Sequence, residues 1–214
     1  MTKLVIVRHG QSRANLEERC AGRYNCDLTP VGIRQAALMT EYVLKTYRVD
    51  AVYSSPLSRA RETVKKIAER AGVPLIILDK LQEIYCGKWE GASLPEIAQN
   101  YPQDAYVWKT DIGKARPTGG ESFAELQIRA NEAFCKIAEE NEGKTAVIGT
   151  HGGVIRTMQC LFSGVPITEM KDVPWTPNAS VSEVNYENGK FIPVSMGYTG
   201  FLSDDLITRL AEIK

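Results

Sequence analysis

LVIVRHGQSRAN, residues 4–15, joins a short apolar run to a group of polar side chains. The run of residues 4–7 is rich in β-branched side chains, which is typical of a buried parallel strand, and it stops at Arg8, His9 and Gly10. In open α/β sheets, ligands bind beyond the carboxyl ends of the strands, where the loops separate and helix amino termini point inward. The stretch therefore predicts a strand of an α/β sheet and one wall of a functional site.

The second histidine of the chain has the same kind of setting. Only two histidines are present, and His151 follows the apolar run of residues 144–150 and precedes Gly152 and a helical pattern. An isolated histidine is usually structural, because histidine is of intermediate burial in proteins. Two histidines at the ends of two strands favour one shared pocket with perturbed chemistry.

Length and composition are typical of one globular domain. The chain has 214 residues, 43% of them hydrophobic, and its 26 basic residues balance 26 acidic ones, so no overall charge favours a nucleic-acid or membrane partner. The amino terminus enters a strand at once, without room for a signal peptide, and no apolar run is long enough to span a bilayer. Five cysteines without C-x-x-C spacing predict free thiols, a cytoplasmic location and no metal site.

Periodicity predicts helices that alternate with strands. Thr29 and Pro30 are typical of a helix start, and the helix is predicted to end near Tyr47 with Ile33 on its apolar face. A second helix is predicted to begin at Ser55-Pro56, and others follow Ser122 and His151. Further strands are predicted at residues 50–54 and 74–78.

The carboxyl-terminal part of the chain predicts a hairpin. Residues 179–186 and 190–196 flank an Asn-Gly pair, which favours a tight turn between antiparallel strands. We therefore expect a single domain over residues 1–214, an α/β fold with a mostly parallel sheet and an antiparallel edge hairpin. The hairpin could pair two subunits of a homodimer.

Residues 84–120 interrupt the alternation of helices and strands. Prolines and glycines break the pattern there, and we expect an insertion over the sheet edge that selects the substrate. Trp89, Tyr106 and Trp108 either fill the core beneath this insertion or line the site of the leaving group.

The polar side chains near the predicted strand ends suit phosphoryl chemistry. Two arginines offer forked donors for the oxygens of a phosphoryl group. A neutral imidazole can attack phosphorus, and one carboxyl group can protonate the leaving oxygen and later activate water. The candidates are Arg8, His9, Asn15, Arg59, Glu83 and His151.

Five motifs resemble, in this order, those of the histidine phosphatase superfamily, which includes the cofactor-dependent phosphoglycerate mutases: Arg8–Ser12, Ser54–Thr63, Glu83–Gly91, Gly120–Ser122 and Thr150–Arg156. The resemblance implies a three-layer α/β/α sandwich and a reaction that needs neither a metal nor a cofactor. It also implies that His9 is the phosphorylated nucleophile and Glu83 the proton donor. The phosphate-binding residues would be Arg8, Asn15, Arg59, His151 and Gly152.

Departures from the mutase pattern favour a phosphatase. Ala14, Ile84, Cys86 and Leu94 stand where the mutases typically carry a tryptophan, an arginine, a tyrosine and a lysine. Residues 87–91 and 178–182 instead resemble the bacterial phosphatase branch, which includes broad-specificity and α-ribazole phosphatases. We predict a phosphomonoesterase whose substrates are small phosphorylated metabolites. The alternatives are a phosphoglycerate mutase and a non-catalytic protein that binds phosphorylated ligands.

Overall fold

A six-stranded mixed sheet forms the centre of the computed structural model, which describes residues 1–208. Its strands are β1 (Thr2–Arg8), β2 (Ala51–Ser54), β3 (Leu75–Ile77), β4 (Thr145–Thr150), β5 (Val181–Glu187) and β6 (Lys190–Tyr198). They lie in the order β3-β2-β4-β1-β5-β6. The pairs among β1 to β4 are parallel, whereas β5 is antiparallel to both β1 and β6. The predicted mostly parallel sheet with an antiparallel edge hairpin is confirmed.

Helices cover both faces of the sheet. Along β1, Leu4 and Ile6 belong to one core cluster, and Val5 and Val7 to another, because successive side chains of a strand point to opposite faces. The first cluster includes side chains of α6 (Phe123–Glu140) and α7 (Gly152–Ser163), and the second includes side chains of α2 (Pro30–Thr46) and α3 (Ser58–Ala71). The predicted three-layer sandwich is confirmed. The helices are α1 (Arg13–Leu16), α2 (Pro30–Thr46), α3 (Ser58–Ala71), α4 (Leu94–Asn100), α5 (Pro102–Thr110), α6 (Phe123–Glu140) and α7 (Gly152–Ser163).

Local capping signals placed two of the long helices correctly. The Thr29 side chain accepts a hydrogen bond from the backbone N–H of Gly32, and Pro30 is the first residue of α2. Ser122 caps α6 by accepting from the N–H of Glu125. Both helices begin where the sequence predicted.

Two details of the helix predictions are wrong. The third helix begins at Ser58 and not at Ser55-Pro56, because the Ser55 hydroxyl is engaged by the N–H of Leu57 and by His151 instead of capping a helix. Ile33 is 60% exposed. It lies about a quarter turn from the side of α2 that carries Ala36, Met39 and Val43.

The register of the sheet brings the two predicted site strands together. Arg8, the last residue of β1, pairs with Thr150, the last residue of β4. His9 and His151 therefore leave adjacent central strands at the same level. Residues 84–120 contribute Trp89, Ile97 and Ile112 to the core cluster of α6 and α7. No helix within residues 1–208 combines the length and apolar character needed to cross a membrane.

Candidate active site

His9 is buried at the carboxyl end of β1 and lines a cavity. Its Nδ1 lies 2.7 Å from the carbonyl oxygen of Gly10. Because a carbonyl oxygen only accepts, this contact assigns the ring proton to Nδ1 and leaves the lone pair on Nε2. Burial, and then the charges of Arg59 and Arg8, hold the pKa of His9 well below its usual value. The ring is therefore a neutral imidazole at physiological pH, as a nucleophile requires.

His151 packs against His9 at the start of α7. The two ring centroids are 5.1 Å apart, with an angle of 60° between the planes. Nε2 of His151 lies 2.8 Å from the hydroxyl of Ser55, whereas Nδ1 is buried without a hydrogen-bond partner in the described part of the chain. Burial, followed by the charge of Arg59, lowers the pKa of His151 well below its usual value. The site thus holds two neutral imidazoles in contact.

Two buried guanidinium groups border His9. Arg59 is 1% exposed and donates to the carbonyl oxygens of Gly22 at 2.7 Å and Tyr24 at 2.9 Å. Arg8 donates to the carbonyl oxygen of Thr176. Burial lowers the pKa of Arg8 to about 10, although the carboxylate of Glu83 opposes the shift, so Arg8 stays charged at neutral pH.

Both arginines keep unfilled hydrogen-bonding capacity. The Nε atoms of Arg8 and Arg59 are buried and have no partner among residues 1–208. Within the same residues, neither guanidinium forms an ion pair with a carboxylate. A buried cation without a carboxylate partner is costly, and an anionic ligand would offset that cost. The pair is suited to bind a phosphoryl group.

Glu83 is held at the amino terminus of α7. One carboxylate oxygen accepts from the N–H of Gly153 at 3.0 Å, and the other accepts from the N–H of Ile84 at 2.9 Å. A Cβ at Gly153 would lie 2.4 Å from Oε1 of Glu83, so only glycine leaves room for the carboxylate in this position. At the neighbouring Gly152, a Cβ would lie 3.2 Å from Cζ of Arg8. The two glycines thus allow Glu83 and Arg8 to approach the start of α7.

An arginine of α6 holds the backbone around Glu83. Arg129 donates to the carbonyl oxygens of Lys80 at 2.9 Å, Gln82 at 2.7 Å and Glu83 at 2.8 Å. Its remaining donors bind both carboxylate oxygens of Glu121, at 2.6 and 2.8 Å. We refer to residues 83–91 as the acid loop. Its first residue is fixed at the backbone by Arg129 and at the side chain by α7.

Asn15 lies at the rim of the cavity, but its oxygen is already engaged. Oδ1 accepts from the N–H of Ser12 and from Nδ2 of Asn178, both at 3.1 Å. Nδ2 of Asn178 also donates to the carbonyl oxygen of His9 at 3.0 Å. Only the amide nitrogen of Asn15 is therefore available for a ligand.

The cavity has a volume of about 620 Å³ and extends from His9 toward residues 171–175. Trp89 and Trp108 both border it, and their ring centroids are 5.5 Å apart, so these side chains fill core and line the cavity at once. Tyr106 is 68% exposed on α5 and does not border the cavity, so the prediction is wrong for this residue. Six of the predicted site residues border the cavity: Arg8, His9, Asn15, Arg59, Glu83 and Gly152. The seventh, His151, does not line the cavity but packs against His9. The structure therefore brings all the predicted site residues together.

Sequence reasoning missed several residues around the site. Ser55, Arg129 and Asn178 contact predicted site residues from distant parts of the chain. Ser55 and Asn178 lie within motifs of the family resemblance but were given no role, and no pattern marked Arg129. Four further cations also border the cavity: Arg19, Lys109, Arg156 and Lys171. Ser55 carried a local signal, since it precedes a proline, but that signal suggested a helix cap.

Comparisons with known proteins agree with this geometry. The family model of the histidine phosphatase superfamily (branch 1) matches residues 4–199. The chain is 30% identical to phosphoserine phosphatase 1 of Hydrogenobacter thermophilus, covering 95% of this chain and 96% of the relative. It is 34% identical to the metal-independent phosphoserine phosphatase of Arabidopsis thaliana, covering 95% and 84%.

The structure resembles that of Bacillus stearothermophilus YhfR. The TM-score is 0.88 at 30% identity, and the match covers 94% of this chain and 99% of the other. The two curated relatives above are named as phosphatases, and the comparisons do not favour the phosphoglycerate mutase alternative.

Proposed function

The chain belongs to the histidine phosphatase superfamily and is a histidine-type phosphoric monoester hydrolase, and we propose that it hydrolyses small phosphorylated metabolites through a phosphohistidine on His9. The observation that carries the proposal is the state of His9. Its Nδ1–H donates to a carbonyl oxygen, its Nε2 keeps a lone pair, and two buried arginines border it. This is a neutral nucleophile beside a receptor for anionic oxygens.

In the first half of the reaction, the phosphoryl oxygens bind the guanidinium groups of Arg8 and Arg59. Further contacts to the phosphoryl oxygens come from His151, from the amide nitrogen of Asn15 and from the N–H of Gly152 at the start of α7. Nε2 of His9 attacks phosphorus while the bond to the leaving oxygen breaks. Glu83, as a carboxylic acid, transfers its proton to that oxygen, and the alcohol leaves.

In the second half, Glu83 acts as a base. Its carboxylate takes a proton from water while the water oxygen attacks phosphorus and the bond to Nε2 of His9 breaks. Inorganic phosphate leaves, and both residues return to their starting protonation states. The hydrogen bonds from Gly153 and Ile84 hold the carboxylate in place for both steps.

We further propose that residues 1–214 form a single domain in which residues 84–120 are an insertion that selects the leaving group. Trp89, Leu94, Trp108 and Ile112 of this segment line the cavity, whose volume suits a small metabolite. Phosphoserine is the first candidate, because both curated relatives described above are phosphoserine phosphatases. α-Ribazole phosphate is the second, from the resemblance of residues 87–91 and 178–182.

A cytoplasmic location and a homodimer complete the proposal. The five cysteines are free thiols, which suits a reducing compartment. β6 is an edge strand of the sheet, so its outer side is open to pairing with a second subunit. Cell fractionation tests the location. Light scattering of the purified protein tests the dimer, and a monomeric mass at micromolar concentration would contradict it.

The decisive experiment is capture of the phosphoenzyme. Protein mixed with labelled phosphoserine and quenched in alkali should carry an acid-labile label on His9, and His9→Ala should carry none. Hydrolysis should continue with a metal chelator present. A turnover that proceeds without label on His9 would overturn the mechanism. Binding of phosphoserine without turnover would support the non-catalytic alternative, and isomerisation of 3-phosphoglycerate faster than phosphate release would support the mutase.

A further inference from the structure

Two cysteines lie in the wall of the site cavity. Cys20 and Cys86 both line the cavity, and Cys20 packs against the core cluster to which Cys86 belongs. The thiol of Cys86 lies 3.7 Å from the carbonyl oxygen of Ile84. Cys86 is only 2% exposed, whereas Cys20 is half-buried. The two residues lie on different segments, since Cys20 belongs to the loop that follows α1 and Cys86 belongs to the acid loop.

Main-chain contacts hold these segments against each other. The N–H of Cys20 donates to the carbonyl oxygen of Ala92 at 2.9 Å, and the N–H of Gly91 donates to the carbonyl oxygen of Cys20 at 2.8 Å. A Cβ at Gly22 would lie 2.9 Å from Cβ of Cys86, so the backbone of residues 20–22 approaches Cys86 directly. A disulfide requires the two sulfur atoms to approach to about 2.05 Å and tolerates only a narrow range of backbone separations, and these contacts bring the two backbone segments together.

We propose that Cys20 and Cys86 form a reversible disulfide that switches the enzyme off in the presence of a low-molecular-weight disulfide such as oxidised glutathione. The thiolate of Cys20 attacks one sulfur of the glutathione disulfide, which forms a mixed disulfide and releases one glutathione thiolate. Cys86 gives its proton to a solvent base and attacks the sulfur of Cys20, which releases the second glutathione. Two electrons pass from the two cysteines to glutathione, and one Sγ–Sγ bond forms.

The surroundings of the two thiols set this order of events. Cys20 is the thiol that solvent reaches, so it meets the oxidant first. The neighbouring Cys20 thiol, followed by burial and the carboxylates of Glu83 and Glu90, raises the pKa of Cys86 well above its usual value. Burial and the two carboxylates still act on Cys86 once Cys20 carries glutathione, so the second step is the slower one and should accelerate as the pH rises.

The disulfide should act on turnover through the acid loop. Cys86 lies three residues after Glu83, and its N–H donates to Oε1 of Glu90 at 3.3 Å. Drawing Cys86 toward Cys20 displaces this loop relative to the start of α7. A displacement of about 1 Å at a catalytic group lowers turnover by about 10²-fold. This loss of turnover rests on the proposed role of Glu83, whereas formation of the disulfide does not.

The experiment uses the full chain, freed of reductant and treated with oxidised glutathione. The intact protein should lose the mass of two hydrogen atoms, and peptide mapping should find Cys20 linked to Cys86. Cys86→Ser should instead gain one glutathionyl group on Cys20, and Cys20→Ser should form no bond at Cys86. In the unsubstituted protein, phosphoserine turnover should fall by about 10²-fold as the link forms, and dithiothreitol should restore it.

Cys135→Ser is the matched control. Cys135 is also half-buried, but its thiol bonds to Asn131 on α6, away from the cavity, so this variant should form the link and lose turnover like the parent. Absence of the Cys20–Cys86 link in the treated parent overturns the proposal. A link that leaves turnover unchanged, or an equal loss of turnover in Cys20→Ser, overturns the switch. Absence of a phosphohistidine in reduced protein would overturn the proposed mechanism but would not affect the proposed disulfide. The two failures are therefore distinguishable.

Discussion

Replacement of Gly153 by alanine tests whether the position of Glu83 limits turnover. A Cβ at residue 153 would lie 2.4 Å from Oε1 of Glu83, and ordinary van der Waals contact begins at 3.4 Å. The carboxylate must therefore retreat by about 1 Å, and its 3.0 Å hydrogen bond from the N–H of residue 153 is weakened or lost. Hydrogen bonds to a charged group contribute about 1.5–3 kcal/mol.

We expect kcat for phosphoserine to fall about 10²-fold in Gly153→Ala, which corresponds to about 2.7 kcal/mol in the barrier. The fold should survive, because alanine favours a helix by about 1 kcal/mol over glycine and this offsets part of the lost hydrogen bond. Urea unfolding of the variant checks that point. With p-nitrophenyl phosphate, the burst of p-nitrophenol that reports phosphoenzyme formation should slow much less, because p-nitrophenolate leaves readily without a proton donor, whereas hydrolysis of the phosphoenzyme still needs Glu83 as a base.

The matched measurement is a double-mutant cycle with Glu83→Gln. If Gly153→Ala acts through Glu83, the double variant should lose no more turnover than Glu83→Gln alone. A Gly153→Ala enzyme that keeps its kcat for phosphoserine, or whose phosphoenzyme forms more slowly by the same factor from both substrates, would refute the assignment of Glu83 as the proton donor held by α7.

Three further predictions follow from the same site. Arg129→Lys should lower kcat for phosphoserine by about 10²-fold, because lysine cannot replace the three hydrogen bonds to the backbone around Glu83. The p-nitrophenol burst should be affected less. An equal loss in Arg116→Lys, an exposed arginine that bonds Gly120 and Glu125, would contradict the prediction. The pKa values of His9 and His151 in the folded protein lie below the unfolded value of about 6.5, so the unfolded chain binds more protons at a pH between the folded and unfolded values. The free energy of unfolding should therefore decrease as the pH falls below about 6.5. Urea titrations should show a shallower decrease in His151→Asn, and an unchanged slope would count against neutral burial of that ring. Ser55→Ala removes a hydrogen bond to Nε2 of His151 that contributes about 1 kcal/mol. Binding of inorganic phosphate, measured by calorimetry, should weaken about fivefold. Unchanged binding would show that Ser55 does not orient the ring.

Tertiary structure decided most of what holds the site residues in place. The partners of Glu83, His151 and His9 are Arg129, Ser55 and Asn178, which lie 46, 96 and 169 residues away along the chain. Such separations leave no local pattern, because each contact exists only when separate elements pack together. The proximity of Cys20 and Cys86 is of the same kind, since the sequence predicted five free thiols and no pairing among them.

The amino-acid sequence by itself determined the elements and the chemistry of this protein. Local features are set by steric preference, hydrogen bonding and residue type, so they can be read from the sequence. They include the strand runs, the caps at Thr29 and Ser122, and the identities of His9, His151, Arg8, Arg59 and Glu83. Only the tertiary structure decided that the two histidines are neutral and that, within residues 1–208, the Nε atoms of Arg8 and Arg59 have no hydrogen-bond partner. Those properties depend on burial and on neighbouring charges, which exist once β1, β4, α3 and α7 have packed around one cavity.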